Sequence, residues 1–338
     1  MSDYREIPAT IDASMLAGPN RASRATAFGM LAIVLWGTTI PLARHLTEQL
    51  GTFTTTATVD LTAGLLGCLT FLAASRRRAL RQLSSNYLLL CGSLVVLYTL
   101  LLYLALGYAP SHPMVLMVII VNYFWPGLTL LFSLPLLGQR VHPFVLAAGL
   151  LVATGGVVLI VMGAGLPRAL LPVTVYLLPL GAAALAAICW ALYSNLARRW
   201  AGDTPATGMP LFLLATGICL AIIRCCVHES SHLHPITLLE TGFLILFPTL
   251  LAYVMWDYAF RHGHPTLLAT ASYFIPMLAM LVGAWVLRQT ITPGQWMACG
   301  LVIIGSLLCR WAVYPSPDNA INRVERVSPS TNIERKEA

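Results

Sequence analysis

Charge is what this chain has least of. Only 10% of its 338 residues are Asp, Glu, Lys or Arg, against roughly 25% in an ordinary soluble domain, and that shortage excludes a water-soluble globular enzyme. Lysine is nearly missing: the 20 basic residues are 19 Arg and Lys336. They sit in short connections between apolar runs and form no clustered stripe, so the net charge of +7 does not point to a nucleic-acid partner. It reads as a set of topology signals at membrane ends. The eight cysteines include no C-x-x-C pair, which gives neither a disulfide framework nor a zinc site. Without a Walker-A loop the chain carries no recognisable ATPase engine. All eight His lie near the ends of apolar runs or in loops, so a hydrolase buried in the membrane lacks its nucleophile, base or metal cluster. No enzyme activity, cofactor or metal is expected.

What the chain has in quantity is apolar length. Hydrophobic residues make up 58% of it, and a membrane-crossing helix needs about 20 of them. Ten segments can be read, at 25–46, 53–74, 86–108, 113–137, 143–162, 175–197, 208–227, 238–260, 265–287 and 293–314. In hydrocarbon each segment must satisfy its own backbone, which makes these runs helices. The expectation is an all-α integral membrane protein with polar tails at 1–24 and 315–338. The first run is too long for a signal-peptide core, so it stays as a span.

With the N-terminus inside, sixteen Arg and Lys fall on inner segments and four, Arg44, Arg168, Arg224 and Arg288, on outer ones. That bias puts both ends in the cytoplasm, in a bacterial inner membrane with lipid as its surroundings. The chain also repeats. Asn122-Tyr-Phe-Trp-Pro126 recurs as Ser272-Tyr-Phe-Ile-Pro276, followed by Gln139 and Gln289, Pro143 and Pro293, and Gly155 and Gly305, all at an offset of 150. Trp36 is echoed by Trp190, and Tyr98 with Tyr103 by Tyr253 with Tyr258, at offsets of 154 and 155. The two repeats, 25–162 and 175–314, hold five spans each. Five is odd, so the second enters the membrane inverted, and two inverted bundles around a midplane site are the logic of alternating access.

Several residues stand out as candidates to carry transport. Pro126 and Pro276 each remove an amide at matching places, so both helices should kink there and act as hinges beside the pathway. Tyr98, Asn122, Tyr123, Trp125, Trp190, Tyr193, Tyr253 and Trp256 collect polar and aromatic character inside spans, which suits a cavity for flat or apolar solutes. Asp60 and Asp257 are carboxylates within spans, and each could bind a substrate ammonium or take up a proton. Tyr253 lies one turn from Asp257, within reach of a hydrogen bond. His228, Glu229, His232 and His234 form a loop on the outer side and read as a solvated connection rather than a metal site. His262-Gly-His-Pro265 reads as a tight turn.

At Leu31-Ala-Ile-Val-Leu-Trp36, Leu106-Gly-Tyr-Ala109, Val121–Pro126, Trp190-Ala-Leu-Tyr193, Ala252-Tyr253, His262-Gly263, Ser272–Pro276 and Gly305–Cys309 the sequence resembles the EamA-type, ten-helix branch of the drug/metabolite transporter superfamily. The resemblance covers most of residues 27–312. It implies a basket of ten helices with a central cavity, export of aromatic amino acids and similar metabolites, and cavity-lining roles for Tyr98, Asn122, Tyr123, Trp125, Trp190 and Tyr253. Two positions depart from that pattern, Met114–Met117 in place of a Gln-Ala-x-Glu stretch and Asp257 in place of Asn, which implies a shifted substrate choice. The expected partner is an amino-acid-like solute, and the expected assembly a monomer or weak oligomer. The runner-up readings are export of another small metabolite or drug class and a lipid flippase-like carrier, which should show an apolar lateral opening.

Overall fold

The computed structural model describes residues 21–109, 112–162, 173–202, 204–231, 234–286 and 290–314. Both tails, apart from residues 21–24, together with Arg168, His232 and Arg288, lie outside the described residues. The architecture is all-helical: α1 (Arg21–Gly37), α2 (Thr39–Leu50), α3 (Thr52–Leu69), α4 (Ala74–Leu80), α5 (Gly92–Gly107), α6 (His112–Asn122), α7 (Trp125–Leu137), α8 (Pro143–Met162), α9 (Val173–Trp200), α10 (Met209–Cys226), α11 (Pro235–Leu244), α12 (Ala252–His262), α13 (Pro265–Ala271), α14 (Ile275–Val286) and α15 (Pro293–Ala312). A two-residue antiparallel pairing, Arg140 with Tyr314 and Val141 with Val313, ties β1 (Arg140–Val141) to β2 (Val313–Tyr314).

Among the described residues, eight helices are long and apolar enough to cross a membrane. The first two apolar segments are helical but fall short of that standard for different reasons. The first is interrupted after Gly37, dividing it into α1 and α2. The second, α3, carries six threonines and Asp60 in 18 residues, which lowers its hydropathy.

Proline and irregular turns divide several long helices. Tyr123 and Phe124 separate α6 from α7, where Pro126 sits in the first turn of α7 and needs no amide there. A 3₁₀ turn at Ser272–Phe274 separates α13 from α14, with Pro276 in the equivalent place. Wider π-helical turns cover Tyr87–Cys91 ahead of α5 and Ile245–Leu251 between α11 and α12, the latter containing Pro248. Such turns leave backbone groups to be satisfied elsewhere, and the Trp36 indole donates to the Pro248 carbonyl at 3.0 Å.

Two seams of small residues join helices from the two halves of the chain. On α3 and α10 the contacts are reciprocal: a Cβ on Gly64 would fall 2.3 Å from the Leu214 backbone nitrogen, and one on Gly217 would fall 2.3 Å from that of Leu61. Along α8 and α15, Gly149 meets Cys309, Gly305 meets Ala153 and Gly156 meets Val302 in the same way. Partner numbers fall as chain numbers rise, so both pairs are antiparallel. Only glycine permits this approach of backbones, the usual basis of tight helix packing in lipid. Outside the seams, α1 packs on α12 and α14, while α9 packs on α5, α6 and α7.

Candidate functional site

A cavity of about 110 Å³ opens between α2, α3, α5 and the α11–α12 helix. Its wall is mostly hydroxylated: Thr39, Thr47, Thr55, Thr56, Thr99 and Thr249 line it together with Tyr98, Tyr103 and Tyr253. The threonines are well placed because Thr39, Ala43 and Thr47 recur every fourth residue on α2, and residues so spaced share a helix face. Asp60 is the one acidic side chain among the described lining residues, and no Arg, Lys or His accompanies it. It is 8% exposed and makes no hydrogen bond to another described residue.

Below the cavity lies an aromatic floor. Trp36 meets Tyr253, Trp256 and Trp190 at ring-centre distances of 5.3, 5.2 and 5.7 Å. Trp125 reaches Trp190 and Trp256 at 6.1 and 5.6 Å, and Tyr98 lies 4.8 Å from Trp190. Most of these pairs are edge-on or tilted, the arrangements favoured by the ring quadrupole. Trp125, Trp190 and Trp256 are nearly fully buried, so this layer closes the cavity from beneath.

Beneath the floor is a buried ionic network. Arg261 Nη1 donates to Asp257 Oδ2 at 3.0 Å, with both side chains at most 1% exposed. The hydroxyls of Tyr87 and Tyr193 donate to Asp257 Oδ1 at 2.9 and 2.7 Å. Arg261 also donates to the carbonyls of Ala206 and Thr204, each at 2.6 Å, and the Gly208 amide donates to the Tyr87 oxygen. One charge pair thereby joins the π turn before α5, α9, α12 and the α9–α10 connection. Arg198 adds a clamp, donating to the Phe260 and Gly263 carbonyls at 2.9 Å each.

The opposite end is tied more lightly. His45 on α2 meets Glu240 on α11 at 2.7 Å, with the imidazole 44% exposed. Glu229 accepts from the Phe53 and Thr54 amides, both at 2.9 Å, and so caps the N-terminus of α3 from the α10–α11 connection. Arg224 donates to Thr54 Oγ1 beside it. Burial works to raise the Glu229 pKa, but the two amides, the Thr54 hydroxyl and Arg224 outweigh it, and the carboxyl titrates below its ordinary value. Gly51 makes this possible, since its φ of +89° is open to glycine and a Cβ there would fall 2.4 Å from the Glu229 carboxylate.

The sequence-based candidates thus divide into layers. Asp60, Tyr98 and Tyr253 line the cavity. Asn122 lies beside Tyr98 with its carbonyl oxygen buried and unpartnered. Tyr123, Trp125, Trp190, Tyr193 and Trp256 are buried in the central core, and Asp257 belongs to the ionic network. The expected Tyr253–Asp257 hydrogen bond is replaced by Tyr87, Tyr193 and Arg261, because the Tyr253 ring turns into the cavity wall and meets Trp36 and Trp190 edge-on. Glu229 is a helix cap rather than a solvated loop residue. Arg261 and Tyr87 escaped sequence reading, since one resembled a topology charge and the other a membrane-end aromatic. The Thr39, Ala43 and Thr47 spacing was the available signal for the α2 part of the cavity wall.

A second recess, about 280 Å³, lies between the α6–α7 break and α9 and is lined by Val121, Phe124, Leu128, Ala184, Ala187 and Ile188. It offers room for hydrocarbon but no polar side chain for a lipid headgroup.

Comparison with known proteins adds the lineage. The chain is 33% identical to the aromatic amino acid exporter YddG of Escherichia coli strain K12, across 85% of this chain and 96% of that one. It is 30% identical to the YddG of Salmonella typhimurium, across 85% and 97%, and 31% identical to that of Ancylobacter novellus, across 84% and 96%. A solved crystal structure superposes with a TM-score of 0.73 at 28% identity, covering 86% of this chain and 98% of its own. The description "EamA-like transporter family" matches twice, at residues 23–162 and 177–311. The chain belongs to the EamA-like transporter family.

Proposed function

We propose that this protein is a secondary exporter of amino acids, aromatic and related apolar ones, or of similar small metabolites, working by alternating access in a bacterial inner membrane. The observation that carries the reading is the layered site: a cavity lined by hydroxyls and apolar side chains, with a single carboxylate among the described residues, floored by tryptophans and sealed on one side only by the Asp257–Arg261 network. A carrier in one of its two end states has this asymmetry, thin on the open side and thick on the closed side.

Ten spans in two inverted repeats of five fit this reading. The same family description matches each half. The helices equivalent by sequence offset, α3 with α10 and α8 with α15, run antiparallel and meet through reciprocal glycines. The packing of α1 on α12 and α14 is mirrored by that of α9 on α5, α6 and α7. On this symmetry the moving units are not the repeats themselves, because the first helix of each is docked on the other. The breaks near Pro126 and Pro276 serve as hinges within these units. The arginine count supports cytoplasmic termini and hence a cavity open to the outer side. Tyr98, Asn122 and Tyr253 contact solute directly, and Trp125, Trp190 and Trp256 form the barrier that must part.

Counterflow of labelled amino acids into proteoliposomes, with and without a pH gradient, tests this. Saturable exchange of apolar amino acids is the expected result, and the gradient reports coupling. Lipid scrambling without solute exchange would instead favour a flippase-like carrier, for which the recess beside Phe124 is the only feature in support among the described residues.

A further inference from the structure

The part of the cavity wall formed by Thr55, Thr56 and Thr99 accepts hydrogen bonds only, while the Thr39 hydroxyl has no partner among the described residues. Thr55 donates its proton to the Leu46 carbonyl, Thr56 to Thr52 and Thr99 to Val95, at 3.2, 2.7 and 3.2 Å. A hydroxyl has one proton to give, so these three offer a solute only lone pairs. Beside them the Asp60 carboxylate is 92% buried by its 8% exposure, borders the cavity, and has neither a cation nor a hydrogen-bond donor among the described residues. An unpaired carboxylate at membrane depth is costly. The charge balance decides what relieves it. An organic ammonium brings the site to neutrality, whereas a zwitterion carries its own carboxylate in and leaves the site at minus one. For that second carboxylate the wall supplies only neutral donors such as the phenols of Tyr98, Tyr103 and Tyr253.

We infer that the cavity is an organic-ammonium site with Asp60 as its counter-ion, so that amines of net charge +1 with an apolar body are preferred over the zwitterionic amino acids. This rests on the transport reading above and, within its substrates, ranks small-metabolite amines ahead of the amino acids themselves. The volume of about 110 Å³, roughly that of four liquid waters, takes the ammonium and its first carbons, with the apolar body reaching into the mouth.

The test is a matched series of phenylalanine, phenylalaninamide, phenethylamine and N-acetylphenylalanine, competed against a labelled solute in proteoliposomes and scored for thermal stabilisation of the purified protein. Wild type should favour the amide and the amine over phenylalanine by at least about tenfold, the scale of one charged hydrogen bond, and the N-acetyl compound should be inert. Asp60→Asn should erase that preference, and Asp60→Glu should keep it. Stabilisation of the wild-type protein by phenethylamine needs no variant and covers the case in which Asp60→Asn does not fold. Equal potency of N-acetylphenylalanine and phenethylamine, or an unchanged ratio in Asp60→Asn, overturns the inference while leaving transport intact. Amine-specific stabilisation with no exchange of any solute overturns the transport reading and leaves the ammonium site standing.

Discussion

The Asp257–Arg261 pair gives the sharpest test of how the closed side is held. Replacing Asp257 by Leu leaves a guanidinium that is 1% exposed beside two carbonyls and with no counter-charge in contact among the described residues. Removing one partner of a buried pair costs about 3–5 kcal/mol, and a guanidinium cannot escape by losing its proton. Arg261→Leu should cost less, because the Asp257 carboxyl keeps the Tyr87 and Tyr193 donors. It does strand the Ala206 carbonyl, at roughly 1–3 kcal/mol for a buried group left unpaired, while the Thr204 carbonyl keeps the His262 imidazole at 3.2 Å. In the double variant no charge is stranded, so its loss should fall short of the summed single losses by about 2 kcal/mol, within the range for contacting residues. Denaturant unfolding of the four proteins in one mixed-micelle system measures this cycle. Losses that add to within about 0.5 kcal/mol would refute the reasoning, since independent sites cannot form a single closing network. Asp257→Asn, by the same argument, should lower transport without reordering the preference among solutes.

Gly64→Ala and Gly217→Ala each drive a methyl into facing backbone; each should cost at least about 1–3 kcal/mol as overpacking, read as a lowered Tm, whereas Gly181→Ala, which meets nothing within 4 Å, should be tolerated. The Glu229 cap should depend on pH. Because its folded pKa is depressed, its stabilisation is present above the unfolded value of about 4.3 and is lost as pH falls through the lower folded one; Glu229→Gln should flatten that acid limb in hydrogen exchange at the start of α3. Trp36→Phe keeps the ring stacking but removes the donor to Pro248, for a loss of about 1 kcal/mol and faster amide exchange in the α11–α12 helix.

Helical class was legible because lipid leaves few alternatives, and apolar length alone located the eight helices that, among the described residues, are long and apolar enough to cross a membrane. Interruptions were legible where paired prolines marked them, at Pro126 and Pro276, but the π turns at Tyr87–Cys91, which holds no proline, and at Ile245–Leu251, around Pro248, were not. Within the site, residue type identified Tyr98, Tyr253 and Asp60 but could not separate wall from floor. Trp190 and Tyr253 look alike in sequence, and only the packing around Trp36 determines which of them faces the cavity. Asp257 and Asp60 illustrate the same limit: two intramembrane carboxylates of similar appearance, one neutralised four residues away by Arg261 and the other left open. Helical spacing made the first pairing available, but an arginine near a span end is also what a topology signal looks like.

The reciprocal glycines on α3 and α10 restrict how the protein can move. A seam with backbone against backbone has no side chains to re-rotamer and no slack to absorb sliding, so it behaves as a fulcrum. Whatever swings open on one side must swing shut on the other about that line, like a lever pinned at its centre. Any single substitution there that thickens one arm displaces the pivot for both, and inward and outward access should then fail together rather than one at a time.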